Sequence, residues 1–354
     1  MDWYKRVQTS VLSWAHGTPL PQGDSHASVN FQSWHYFDPD GQQWAPSRAD
    51  ANSSNGGIQG RDNDAPELLT LLTWNIDATS ARTEDRVTEI VTYTSQVHPK
   101  VDIIFLQEVS RPALEQILKD ERIRRFWFSS ECDDGAWGNQ SFATMTLLSR
   151  QRFVSTSSEA TLGKARLGPI WRVSYPSRFG RDALCCDVFA PSLNSPHSLT
   201  RMRLINVHLD SLPINPSHRP QQVSIISKFL RSAGRGLAAG DFNPVLEEDA
   251  TLLERNGLTD AWSALYPEQP GYTWGTDGKQ PFPANRLDKV ALFGLRPHNI
   301  KVVEAKRLNN LEAQPTSQVD TNQPEGQPSE DLENNPPLSD HHALLCSFAL
   351  VGSN

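Results

Sequence analysis

The chain has 354 residues, 37% of them hydrophobic, and a formal charge of -8. That length suffices for one large core or two small ones, and no apolar run approaches the roughly 18 residues of a membrane-spanning helix. The acidic balance excludes a protein that grips nucleic acid through bulk positive charge, but six acidic groups (Glu312, Asp320, Glu325, Glu330, Asp331 and Glu333) fall in 311–337, which has no Lys or Arg, so the rest of the chain is left with only -2.

Residues 1–66 are polar and rich in Gly, Ser, Asn and Asp, most of all from Arg48 to Pro66. They show no sustained period and are expected to form a loosely ordered extension. Its aromatics Trp34, Tyr36, Phe37 and Trp44 are read as a short clamp packed on the main domain. The start Met1-Asp2-Trp3-Tyr4-Lys5-Arg6 lacks a secretory pattern, so the chain is read as an intracellular protein made without export.

From Leu68 the texture changes. Apolar, β-rich runs at Leu68–Trp74, Val101–Gln107, Phe142–Leu148, Leu184–Phe189, Met202–His208, Gly236–Ala239, Leu287–Phe293 and Ala343–Leu350 predict strands. Glu84–Gln96, Pro112–Lys119 and Ser217–Arg231 predict helices; the last has Ser217 as N-cap, Pro220 in the first turn, and Val223, Ile226 and Leu230 on one face. Alternating strands and helices predict an α/β layered domain over 67–352. Residues 312–337, rich in Pro, Gln and acid, predict a disordered insert before the last strand. Cys132, Cys185, Cys186 and Cys346 have neither disulfide-framework nor zinc spacing, which points to a reducing compartment.

Polar residues stand at the ends of five runs: Asn75; Glu108; His208 and Asp210; Asp241 and Asn243; Asp340 and His341. Taken singly, each has an ordinary turn or surface role. Five strand ends furnished with carboxylate, amide or imidazole point instead to a site where layered α/β domains place theirs. Oxygen donors without cysteine suit a hard cation, Mg²⁺ or Mn²⁺.

The strings T-W-N-I-D at 73–77, I-I-F-L-Q-E-V at 103–109, N-V-H-L-D-S at 206–211, G-D-F-N at 240–243, R-L-D at 286–288 and S-D-H at 339–341 resemble, in the same order, the motifs of the DNase-I-like endonuclease/exonuclease/phosphatase superfamily. Within it they are most similar to those of the 5′-tyrosyl-DNA phosphodiesterases, as is Tyr272-Thr273-Trp274. The resemblance implies a four-layer α/β sandwich, two packed mixed β-sheets flanked by helices. It also implies Mg²⁺-dependent hydrolysis of a phosphotyrosyl bond at a single-stranded DNA 5′ end, in the repair of topoisomerase adducts, and with it a nuclear location. Glu108 is then the principal metal ligand, with Asn75 and Asp340. Asp241 activates water, Asn243 holds water or phosphate oxygen, and His341 and His208 donate to phosphoryl oxygens. Asp288 orients His341. Arg219, Ser211 and Trp274 are implied substrate contacts, and Arg178, Arg181, Trp171 and Trp262 are further candidates for lining a single-strand groove.

Another member of the superfamily, acting on abasic DNA, an RNA end or a small phosphoester, shares the metal chemistry and differs in substrate. A binding protein without turnover is the reading from another class. Glu108, Asp241, Asp288 and His341, all in place, speak against it.

Overall fold

Short β-rich runs and helices with one apolar face build two sheets and their covering layers in the computed structural model, which describes residues 2–22, 27–47, 68–155, 164–192, 195–308 and 336–350. The elements begin with α1 (Asp2–Ala15), β1 (Ser28–Gln32), β2 (Trp34–Asp38), β3 (Gln43–Ser47), β4 (Leu69–Asn75), α2 (Thr83–Gln96) and β5 (Ile103–Ser110). They continue with α3 (Arg111–Lys119), α4 (Glu121–Phe126), β6 (Trp127–Ser129), β7 (Phe142–Ser149), β8 (Phe153–Val154), β9 (Ala165–Ser174), β10 (Asp182–Ser192) and β11 (Ser195–His208). The remainder are α5 (Arg219–Ala233), β12 (Gly236–Asp241), α6 (Leu252–Arg255), β13 (Thr259–Asp260), α7 (Ala261–Leu265), β14 (Asp288–Phe293), β15 (Leu295–Val303) and β16 (Ala343–Leu350).

One sheet has the order β15-β16-β4-β5-β7-β6-β2-β3 and the other β1-β9-β10-β11-β12-β14-β13, with β8 beside β9. Both are mixed: β4 and β5 run parallel, as do β11 and β12, among antiparallel neighbours. Leu71, Phe105 and Leu148 of the first sheet meet Leu184, Met202 and Leu204 of the second in the central core. The outer face of the first sheet is covered by α2 and α3 through Val87, Ile90, Leu114 and Ile117, and that of the second by α5 through Val223, Ile226 and Leu230. The result is the expected four-layer sandwich. Cys186 faces the central core and Cys185 the α5 side, as alternation along a strand requires, and all four thiols are free.

The N-terminal region departs from expectation. Residues 2–15 are helical, and 28–47 add strands to both sheets: β1 to β9, and the β2–β3 hairpin to β6 through His35 and Ser129. Trp34 is buried between the sheets with its indole N–H on the Gly168 carbonyl, 3.1 Å away, so the clamp is an integral part of the sandwich. The stretch 48–66 and the acidic 312–337 lie outside the described residues, save Pro336 and Pro337. Among the described residues, no helix is long and apolar enough to cross a membrane.

Candidate active site

Parallel pairing of β11 with β12, and antiparallel pairing of β12 with β14, set His208, Asp241 and Asp288 in one row across the second sheet. In the first sheet Asn75 pairs with Gln107, so Glu108 projects one step farther along β5. His341 comes in ahead of β16, its carbonyl accepting from the Trp74 indole at 2.9 Å. Two sheets thus contribute the two halves of one polar cluster in the gap at their ends.

The Asn75 amide nitrogen bridges those halves, donating to Glu108 Oε1 at 3.2 Å and to Asp241 Oδ2 at 3.1 Å. Glu108 Oε2 accepts from the Ala78 backbone N–H at 3.0 Å. His208 Nε2 lies 3.5 Å from Asp241 Oδ2 and 3.8 Å from Glu108 Oε1. His341 Nε2 lies 3.9 Å from Asp241 Oδ2, and its Nδ1 donates to Asp288 Oδ2 at 2.8 Å.

Burial drives apart the charges of groups that are close in space. It raises Asp241 to about 7, with Asp288 and Glu108 adding to the effect and His341 and the Asn243 amide opposing it. Burial alone works against a charged His341, yet Asp288, Asp241 and Asp340 together raise it to about 10. His208 is pushed well below its usual value by burial and by the neighbouring Arg181 and His341. The site therefore holds one imidazolium, one neutral imidazole and a carboxylate poised near neutrality, a set suited to moving a proton and stabilising an anion.

Among the described residues there is no group of three or more His, Cys, Asp or Glu side chains with metal-holding geometry. Mg²⁺ does not require one, since it retains waters and binds through one or two carboxylates. The half-buried Glu108 carboxylate and Asp340, which burial and nearby Asp77 and Glu108 push upward, supply that donor chemistry. Asn75 fits less well than expected. Its oxygen accepts from the Asp77 N–H at 3.0 Å while its nitrogen faces the acids, so in this arrangement it positions Glu108 and Asp241.

Other expected residues fall in mixed places. Asn243 braces Asp241: its backbone N–H donates to Asp241 Oδ1 at 2.9 Å and its amide to the Leu209 carbonyl at 3.2 Å. The Trp274 indole donates to Asp340 at 3.0 Å, which puts a half-buried aromatic at the mouth. Ser211 lines a narrow cleft beside Arg178 and Asp210. Arg219 is buried and bound to Asp249 and to the carbonyls of Asp210 and Leu212, so it secures the loop that carries Ser211 and does not lie open to a strand. Trp171 and Trp262 belong to the core. His342 accepts from the Ala305 N–H, a structural role.

Arg181 stands out more than its sequence context indicates. Its guanidinium lies 4.6 Å from the Phe142 ring centroid, Phe142 stacks on His208, and Arg181 Nε is buried with no hydrogen-bond partner among the described residues. Burial lowers its pKa while Glu108 and Asp241 oppose that. Arg86 lies outside the sequence motifs. Fully buried, it donates to the carbonyls of Ile76, Asp77, Ser80, Ala81 and Leu338, tying the loop after β4 to the segment before His341.

The sandwich is similar to that of D. rerio TDP2 complexed with single strand DNA product, at 18% identity and a TM-score of 0.55 over 80% of this chain and 99% of that one. It is likewise similar to TDP2 from Caenorhabditis elegans, at 19% identity and a TM-score of 0.56 over 80% of this chain and 74% of that one. At such identities the likeness is one of fold. No curated protein matches the chain. The sequence pattern of the endonuclease/exonuclease/phosphatase family matches residues 72–341. The chain belongs to the endonuclease/exonuclease/phosphatase family.

Proposed function

We propose that this protein is a Mg²⁺-dependent phosphodiesterase that hydrolyses a 5′-phosphotyrosyl linkage on single-stranded DNA. The observation that carries the reading is the meeting of Glu108, Asp241, His208 and the Asp288–His341 pair in one gap between the sheets. The motif strings that resemble the tyrosyl-DNA phosphodiesterases furnish these same residues.

Glu108, with Asp340, would hold the cation, which when bound supplies charge neutralisation at the phosphoryl group. Asp241, raised to about 7, accepts a proton from the attacking water and is held for that by Asn243 and Asn75. His341, kept cationic by Asp288, presents Nε2–H to a non-bridging oxygen. His208 is neutral, and Arg181 brings a partly desolvated guanidinium whose buried Nε has no partner among the described residues.

Substrate class is supported by the rim. The exposed apolar side chains Phe179, Leu212, Tyr272 and Phe282 sit on loops that also carry Arg181, Ser211 and Trp274. Unpaired bases and a tyrosyl leaving group both offer π-faces to such a rim. A phenolate, with a pKa of about 10, departs with less protonation than an alkoxide, which suits a site whose imidazolium, His341, gives up its proton only near 10.

The test is a panel under one condition: a 5′-phosphotyrosyl single strand, an abasic-site duplex, an RNA of equal length and a small aryl phosphodiester. Highest kcat/KM on the tyrosyl strand supports the proposal. Preference for the abasic duplex or the RNA keeps the chemistry and replaces the substrate.

A further inference from the structure

Glu108 sits at an irregularity. The β5–β7 ladder pairs Leu106 with Met145 and then Val109 with Ala143, so Gln107 and Glu108 together oppose Thr144 alone. This is a β-bulge, and it places Glu108 at φ +56, a conformation non-glycine residues seldom adopt. A bulge disrupts the local ladder, and its buried backbone groups need partners from elsewhere.

The partner comes from the opposite sheet. Asn206 of β11 donates from Nδ2 to the carbonyls of Leu106, at 3.1 Å, and Met145, at 2.8 Å, the pair flanking the bulge. Its Oδ1 accepts from Gln107 Nε2 at 2.8 Å, and the same Gln107 amide donates to Thr73 Oγ1 at 3.1 Å. Asn206 and Gln107 are both wholly buried. Asn206 lies two residues before His208 and therefore on the same face of β11. One amide thus spans the gap directly beneath the site, fixing the backbone that aims Glu108 at Asp241 and His208.

We infer that Asn206 is a positioning residue for Glu108, holding the β5 bulge from across the sandwich so that the carboxylate is presented to the cation in a fixed orientation. The inference rests on the reading of Glu108 as the principal metal-holding residue. An apolar residue of the same size would fill the space but take from the Leu106 and Met145 carbonyls and from one Gln107 amide hydrogen the partner that Asn206 supplies, in a dry core where such losses are costly.

The experiment uses the full chain as wild type, Asn206→Leu, Asn206→Asp, Gln107→Met and Ser347→Ala. Ser347 shares a buried hydroxyl bond with Thr70 away from the bulge and serves as a packing control. Amide hydrogen exchange of the 104–110 segment is read without metal, and Mg²⁺ binding by calorimetry. The Asn206 variants are expected to exchange faster around Glu108 by roughly 10-fold or more, with α5 unaffected. Their Mg²⁺ affinity should fall roughly 10-fold or more, while Ser347→Ala moves neither. Wild-type exchange at the bulge in a folded Asn206 variant overturns the inference, as does unchanged Mg²⁺ affinity. If neither Asn206 variant folds, Gln107→Met decides by the same readouts. A wild type that binds no Mg²⁺ overturns the metal reading of Glu108, and exchange at the bulge still decides whether Asn206 holds it.

Discussion

Asp288 and His341 meet through a 2.8 Å bond from the imidazole Nδ1 to the carboxylate Oδ2, both side chains buried. This bond fixes which nitrogen faces the gap and keeps the ring charged up to about 10. A histidine whose folded pKa is raised stabilises the fold fully below its usual 6.5 and loses that contribution as pH rises through about 10. The rate of phosphoester hydrolysis should climb through about 7 as Asp241 ionises and fall near 10 as His341 loses its proton. Asp288→Asn should move the falling limb from about 10 toward 6.5. A pH–rate profile of the variant that keeps the wild-type alkaline limb contradicts the pairing.

Asp241 accepts from Asn75 through Oδ2 and from the Asn243 backbone through Oδ1, so Asp241→Asn keeps the size of the side chain and one of these bonds while removing the base. We expect kcat to fall by about 10² to 10⁴ with a near-wild-type melting temperature. A small kcat loss beside a large rise in KM points to another base.

Arg181→Ala should lower kcat/KM by about 10² to 10³, and Arg181→Lys should restore little of it, because a point charge does not reproduce a planar guanidinium held over Phe142. Steady-state kinetics on both variants decide the matter; full rescue by lysine leaves only a charge effect.

Gly240 has φ +138, and a Cβ there would lie 2.0 Å from the Val207 carbonyl, next to His208. Gly240→Ala should destabilise the protein by at least about 1–3 kcal/mol in denaturant titration. It should also weaken catalysis by displacing β11. Wild-type stability in this variant contradicts the close approach.

Arg86→Met should cost at least about 3 kcal/mol, since its removal leaves several buried carbonyls unpaired. Denaturant midpoints read this directly, and a loss below 1 kcal/mol means that water replaces the guanidinium.

The sequence displays what repeats locally. Apolar runs such as 103–107 and 202–208 are strands in the structure, and the polar residues that end them converge because parallel neighbours bring their ends to one edge. β9 was hidden because Gly168 and Pro169 interrupt its pattern and its Arg172 is a buried ion-pair partner of Glu131 and Asp182. β1 to β3 are five-residue strands of mixed exposure whose pairing depends on residues far along the chain. Arg219 read as an open cation because no local signal reveals Asp249, thirty residues on, as its buried partner. The reach of Asn206 across the sandwich is likewise a property of packing and has no footprint in spacing.

The most direct measurement is single-turnover release of tyrosine from a 5′-phosphotyrosyl oligonucleotide, with Mg²⁺ or with EDTA, by wild type and by Glu108→Ala. The wild type should release tyrosine with Mg²⁺, EDTA and Glu108→Ala should each abolish the release, and an abasic duplex of equal length should stay intact. Equal release in EDTA or by Glu108→Ala contradicts the metal chemistry, and cleavage of the abasic duplex with no release of tyrosine contradicts the substrate.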